Sequence, residues 1–239
     1  MIKAVIFDFD NTLNDWDNIQ PEAEVYIANK ICAKHRLKPR EFLIYLNKIR
    51  EKYYMHRSPK IAYNRAFWFR QVFKHFKIKE NVNKVVEDYW QEGLRRVKRF
   101  PKVKMVLKSL KSKYKIAMLT DSDGQRKYKI ARVKKVGIYD YFDLIVPTDD
   151  VGLNKPHIEC FRYVARKLGV KPSECVMIGD HPEVDLKSAK QLGMTTIWTQ
   201  QAFRRDVKFP YVDFEVDRIE EVLPIMCQIN RFLLKSSKK

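Results

Sequence analysis

Hydrophobic and polar residues are patterned in two different ways along this chain. Ala4-Val5-Ile6-Phe7 is an apolar run with no polar interruption, set between Lys3 and Asp8. Its length and β-branched content predict a strand covered on both faces, as in a parallel sheet. From about Asn14 to Arg99 apolar residues recur near every 3.6 positions, which predicts helices. One begins at Pro21, carries Val25, Ile27, Ala28, Ile31 and Cys32 on its stripe, and ends near His35-Arg36. A second follows Pro39 with Phe42, Leu43, Leu46 and Ile49; a third covers 62–76 and a fourth 82–97.

From Phe100-Pro101 onward the period switches repeatedly between strand and helix. Strands are predicted over 115–119, 142–146, 175–178, 195–198 and, briefly, 212–216. Helices are predicted between them over 103–110, 126–136 with Gly137 at the end, 156–169 and 182–193, each of the last two opened by Pro and closed by Gly. A last helix covers about 219–233, with Lys235 to Lys239 as a frayed tail. Alternation of this kind gives a parallel sheet with right-handed crossovers. The expected architecture is α/β: a doubly wound core from residues 1–13 and 100–239, with an all-helical domain, 14–99, inserted.

The third helix is dense in rings, Tyr63, Phe67, Trp68, Phe69, Phe73 and Phe76. At helical spacing they read as the core of a small bundle. Phe67 and Trp68 are adjacent and cannot share a direction, so one is expected to face a neighbouring domain. His35, His56 and His75 stand alone, without a second ligand at i+4, and are not read as metal sites.

A chain of 239 residues can bury roughly 70–75% of its unfolded surface, so folding requires neither disulfide nor metal staple. Cys32, Cys160, Cys175 and Cys227 show no Cys-x-x-Cys spacing and lie in apolar contexts, which reads as reduced core thiols of a cytoplasmic protein. Aspartates interrupt the first apolar run after four residues, so no signal peptide is expected, and no stretch approaches the length of a membrane span. The net charge of +19 would attract phosphate-rich partners. Because the lysines are spread along helix-like segments, this permits nucleic-acid binding without indicating it. Nothing in the pattern specifies an oligomeric state.

The chemistry begins where the first strand ends. Asp8 and Asp10 are separated by one residue, and on an extended backbone their carboxylates would share a face. Two anions so close repel and need compensation, which a hard cation such as Mg²⁺ supplies with few protein oxygens. The plainer reading is an Asx turn with solvated carboxylates. Later strands also end in polar residues: Thr120-Asp121, Lys155 in Gly152-Leu-Asn-Lys155-Pro156, and Gly179-Asp180 with Asp185 beyond.

Singly, a strand-end Thr or a loop Lys is commonplace. In order, the set resembles the four motifs of the haloacid dehalogenase (HAD) superfamily, opening with Asp8-Phe9-Asp10-Asn11-Thr12 as Asp-x-Asp-x-Thr. The resemblance implies a Mg²⁺-dependent phosphatase working through an aspartyl-phosphate. Asp8 would attack phosphorus, and Asp10 would protonate the leaving oxygen and then activate water. Asp8, Asp180 and the backbone carbonyl of Asp10 would hold the metal. Thr120 and Lys155, with Asp121, would bind the phosphoryl group, and Asp185 would orient Lys155 or a metal-bound water. Phosphomonoester hydrolysis calls for accelerations up to ~10²¹-fold, so a site this rich in charge suits it. Relatives that cleave carbon–halogen bonds lack the carboxylate found here at Asp10, which argues for phosphoryl transfer. Asn11 stands where Gly is frequent, and Asn tolerates a left-handed backbone. His181 is read as a loop residue.

The helical insert resembles the C1-type cap of this superfamily, which closes over the site and recognises the leaving group. A small phosphorylated metabolite is the expected substrate. The other readings are a phosphomutase, a nucleic-acid end phosphatase drawing on the basic surface, and a receiver-like phosphoacceptor without turnover.

Overall fold

The computed structural model describes residues 1–54 and 56–236. Strand β1 (Ala4–Phe7) is buried along its whole length and leads into four helices, α1 (Trp16–His35), α2 (Pro39–Tyr53), α3 (Arg65–Phe76) and α4 (Val82–Arg96). The chain then alternates: α5 (Val103–Lys111), β2 (Lys115–Thr120), α6 (Arg126–Lys135), β3 (Leu144–Pro147) and α7 (Ile158–Leu168). It closes with β4 (Cys175–Gly179), α8 (Lys187–Gln191), β5 (Thr195–Thr199), β6 (Phe214–Val216) and α9 (Val222–Ser236).

All six strands are parallel, in the order β3-β2-β1-β4-β5-β6. The chain winds outward from β1 through β2 to β3, then returns to β4 and winds the other way. This is the doubly wound α/β class expected from the sequence. The direction reverses between β1 and β4, where such sheets open a crevice at the carboxyl ends of the strands.

The two-residue strand period sorts the core into two layers. Val5, Phe7, Ile116, Met118, Val176 and Ile178 pack on one face with Val106 of α5 and Met226 of α9. Ala4, Ile6, Ala117, Leu119 and Met177 pack on the other with Phe161 and Val164 of α7. Most of the aromatics of α1–α4 are core, as their spacing predicted: Phe69, Tyr89 and Trp90 are buried, and Trp16 stacks on Trp90 at 5.5 Å. Of the adjacent pair, Trp68 is buried and Phe67 is half-buried, edge-on to Tyr53 at 5.0 Å.

Several expectations are corrected. Helix α1 starts at Trp16 with Pro21 inside it, because Trp16 and Ile19 extend the buried stripe by a turn. Val25 is 43% exposed, and Glu24 faces inward instead, paired with Arg50. Helix α7 starts after Pro156, because the His157 ring accepts the Glu159 N–H at 3.3 Å and caps it. The helix expected from Pro182 opens as a single π-helical turn, Pro182–Leu186, before α8. Helix α9 continues to Ser236, and residues 237–239 of the expected tail lie outside those described. Cys32, Cys160 and Cys175 are buried, whereas Cys227 is exposed on α9. Among the described residues no helix is long and apolar enough to cross a membrane.

Candidate active site

The ladder of β1 runs one residue past the strand, where the Asp8 N–H donates to the Ile178 carbonyl at 2.9 Å. The backbone then turns. Asn11 has φ of 61°, and the Leu13 N–H returns to the Phe9 carbonyl at 2.9 Å. Asn11 therefore occupies the left-handed conformation that its side chain tolerates, and its Oδ1 accepts the Asp17 N–H at 3.0 Å. The turn sends Asp8 and Asp10 to different partners, unlike the shared face of an extended backbone.

Asp8 meets a buried ammonium. Lys155 Nζ lies 2.7 Å from Asp8 Oδ1, 2.6 Å from Asp185 Oδ1 and 3.9 Å from Asp121 Oδ2. Burial opposes the charge on Lys155, but Asp185, Asp8 and Asp121 hold its pKa well above the usual lysine value. Burial pushes the Asp8 carboxyl up to about 7, and Asp185 adds to the rise against the pull of Lys155. Asp121 is pushed up to about 6, again by burial first, while its Oδ1 accepts the Lys155 backbone N–H at 3.1 Å.

Asp8, Asp180 and Asp185 each bring one carboxylate oxygen within 4.8 Å of the others. Burial and then Asp185 and Asp8 raise Asp180 well above the ordinary aspartate value. Three crowded, largely buried carboxylates share the one ammonium of Lys155 and offer only oxygen donors, so the donor set fits a hard divalent cation. The Asp10 side chain does not belong to this group. Asp185, expected one layer further out, does.

Glycine makes that placement feasible. A Cβ on Gly179 would fall 2.4 Å from Asp185 Oδ2, so only the bare backbone leaves the carboxylate room. The π-helical turn brings the same oxygen back to accept the His181 N–H at 3.0 Å. Thr12 Oγ1 donates to Asp180 Oδ1 at 3.3 Å. Thr120 is 1% exposed, and its hydroxyl has no hydrogen-bond partner among the described residues.

Asp10 sits instead in a second buried network. It accepts from Lys129 Nζ at 2.6 Å, from Asn14 Nδ2 at 3.1 Å and, through both oxygens, from the Arg132 guanidinium. Arg132 and Lys129 also bind Asp123, at 2.9 and 3.1 Å. Burial alone would push the Asp10 carboxyl up, but Arg132 and Lys129 hold it well below the usual carboxylate range. Sequence reasoning missed both cations. Tyr128, Lys129, Arg132 and Val133 share one face of α6 and are all buried, a spacing that could have signalled them.

A cavity of about 600 Å³ connects these groups. Asp8, Thr120, Lys155 and Asp180 line it from the strand ends, and Gln20, Arg50, Tyr54, Arg65 and Trp68 from the helices. His181 lies in its wall, 6.5 Å from the Tyr54 ring. His35 pairs with Glu80 at 3.2 Å, and His75 stacks on Tyr45 at 3.8 Å.

The family model described as "Haloacid dehalogenase-like hydrolase" matches residues 5–199. A glyceraldehyde 3-phosphate phosphatase from Methanocaldococcus jannaschii is 25% identical over 236 residues, spanning 97% of this chain and 100% of the relative. The crystal structure of a HAD phosphatase from Thermococcus onnurineus matches with a TM-score of 0.72 and 26% identity, covering 94% of this chain and 98% of the other. The Bacillus subtilis protein YfnB, in a crystal form described as bound to magnesium, matches with a TM-score of 0.71, covering 94% and 98%; at 18% identity it shows the shared fold alone.

Proposed function

This chain belongs to the haloacid dehalogenase-like hydrolase family, and from that premise we propose that it is a Mg²⁺-dependent phosphatase of a small phosphorylated metabolite. The observation that carries this reading is the buried Lys155 ammonium between Asp8 and Asp185, in one cavity with the Thr120 hydroxyl, which has no partner among the described residues. Together they offer a nucleophile, a fixed positive charge and a free donor around one small space. The phosphatase activity named for the archaeal relative supports the substrate class.

Asp8 and Asp180, with Asp185 beside them and the Asp10 carbonyl, would hold Mg²⁺, which when bound neutralises charge on the phosphoryl oxygens. The Asp8 carboxylate attacks phosphorus, the ester P–O bond breaks, and an aspartyl-phosphate forms. Lys155 Nζ and Thr120 Oγ1 hold phosphoryl oxygens, with Asp121 fixing the Lys155 backbone and Asp185 fixing its side chain. Water then attacks phosphorus, releasing phosphate and restoring Asp8. An ionised Asp10 suits the removal of a proton from that water. Donating a proton to the leaving group requires Asp10 first to give up Lys129 and Arg132 and take up a proton from solvent, which it then passes to the ester oxygen. The helices of residues 14–99 act as the cap over residues 1–13 and 100–239, with Gln20, Arg50, Arg65 and Trp68 facing the leaving group.

The test is phosphate release from p-nitrophenyl phosphate with Mg²⁺, with EDTA and with Asp8→Asn. Release that depends on the metal and falls roughly 10⁴-fold or more in the folded variant is expected. Undiminished release by Asp8→Asn removes the nucleophile assignment. Stoichiometric phosphorylation without turnover would support a receiver-like role instead.

A further inference from the structure

Arg65, the first residue of α3, is 3% exposed and lines the cavity. Its guanidinium lies 4.4 Å from the ring centroid of Trp68 and 5.3 Å from those of Tyr89 and Trp90. Nε donates to the Tyr89 hydroxyl at 3.2 Å, Nη1 to the Tyr63 carbonyl at 2.9 Å and Nη2 to Gln20 Oε1 at 2.9 Å. All three acceptors are neutral. Among the described residues no carboxylate stands within ion-pair distance of it.

The other buried or half-buried cations of the cavity differ. Lys155 holds Asp8 and Asp185, Lys129 holds Asp10 and Asp123, and Arg50 holds Glu24. Gln20 accepts from Arg65 and donates to Glu24 Oε1 at 2.8 Å, so Glu24 is linked to Arg65 only through an amide. Asp17 also lines the cavity but forms no ion pair with Arg65 among the described residues.

A buried cation without an anion is costly to keep, and a guanidinium carries five donors, of which the protein engages three here. The rings and neutral acceptors fix its plane in advance. That combination suits a planar, two-oxygen anion entering from the cavity.

We propose that Arg65 binds a second oxyanion carried by the substrate's leaving group, a carboxylate or a second phosphoryl group, while the ester phosphate lies at Asp8 and Lys155. This rests on the phosphatase reading and narrows it: the substrate is a small, doubly anionic phosphate monoester.

The test compares kcat/KM of the wild-type protein with Mg²⁺ on 2-phosphoglycolate, on 1,3-propanediol bisphosphate and on 2-phosphoglycolamide, whose leaving group carries no charge. One of the two anionic esters should exceed the amide by roughly 10- to 100-fold, the range for hydrogen bonds to a charged group. Which of them does so identifies the anion. In Arg65→Gln the preference should collapse to within about threefold, and Arg65→Lys should retain part of it. A ratio taken within one preparation does not depend on the fraction folded, so a merely structural role would lower both rates and leave it unchanged. Equal turnover of all three esters by the wild type overturns the inference and leaves the phosphatase reading standing. A preference that survives Arg65→Gln overturns the assignment to Arg65. Absence of release from these esters and from p-nitrophenyl phosphate removes both.

Discussion

Lys155 Nζ stands 2.6 Å from Asp185 Oδ1, and the same ammonium reaches Asp8 at 2.7 Å, so one cation ties the end of β1 to the turn after β4. Removing it in Lys155→Met leaves two buried carboxylates unbalanced, with Asp121 close by. Losing one partner of such a group costs about 3–5 kcal/mol. For a chain of this size that is a fall of roughly 6–20 °C in Tm. Mg²⁺ should restore part of the loss by supplying charge to the same oxygens, and turnover should fall by roughly 10²–10³-fold. Thermal unfolding with Mg²⁺ and with EDTA checks this; a variant as stable as the wild type in EDTA would refute it.

The pH dependence of stability should take its sign from the same carboxylates. Asp8 is pushed up to about 7 and Asp121 to about 6, from an ordinary 3.8, by burial. An acid with a raised folded pKa binds its proton more tightly when folded, so its contribution is complete below 3.8 and lost as pH rises through 6 to 7. Asp10 runs the other way, contributing above its unfolded pKa and losing that as pH falls. In EDTA, urea midpoints should therefore decline from about pH 5 to about pH 7.5, and Mg²⁺ should flatten the decline because it binds the ionised groups. A midpoint that rises over that interval in EDTA contradicts the account.

Arg132 should tolerate no basic substitute. It binds Asp10 and Asp123 together and lies 3.5 Å from the ring centroid of Trp16 on α1. Arg132→Met would leave two carboxylates to Lys129 alone, at a cost of about 3–5 kcal/mol. Arg132→Lys keeps the charge but loses both the fork and the stacking plane, and should recover little of it. Urea unfolding of the three proteins decides, and equal stability of Arg132→Lys and the wild type would show that charge alone suffices.

Asp8, Thr120, Lys155 and Asp180 are legible because local hydrophobicity marks strand ends or the loops beside them, and a parallel sheet gathers those ends. The surroundings of Asp10 are not. Lys129 and Arg132 are two among 48 basic residues, and their burial follows from tertiary partners on the face they share with Tyr128 and Val133. Pro21 misplaced the start of α1 for the same reason: the stacking of Trp16 on Trp90 overrides a local start signal. In the sequence Arg65 is one of 48 basic residues with nothing to set it apart, and only the rings folded around it do so. Asp185 joined the carboxylate cluster because a π-helical turn, which no side-chain period announces, brings it back toward Gly179.

Gly179→Ala should separate the carboxylate cluster without touching any of its members. The added methyl would sit 2.4 Å from Asp185 Oδ2 and 2.5 Å from its Cβ, far inside contact distance. Gly179 is the last residue of β4, held in register against Trp198 of β5, so the backbone has little freedom to yield. Asp185 must move, and its bonds to Lys155 and to the His181 N–H go with it. Overpacking of this kind costs about 1–3 kcal/mol. Loss of an oriented ligand or its support should weaken metal binding by roughly 10- to 100-fold. The Mg²⁺ concentration for half-maximal phosphate release, and the Mg²⁺-induced rise in Tm, measure the effect. Asp185→Asn separates the causes, since it keeps the side chain's shape and removes its charge. If Gly179→Ala responds to Mg²⁺ as the wild type does while Asp185→Asn does not, the close approach of Gly179 and Asp185 is dispensable.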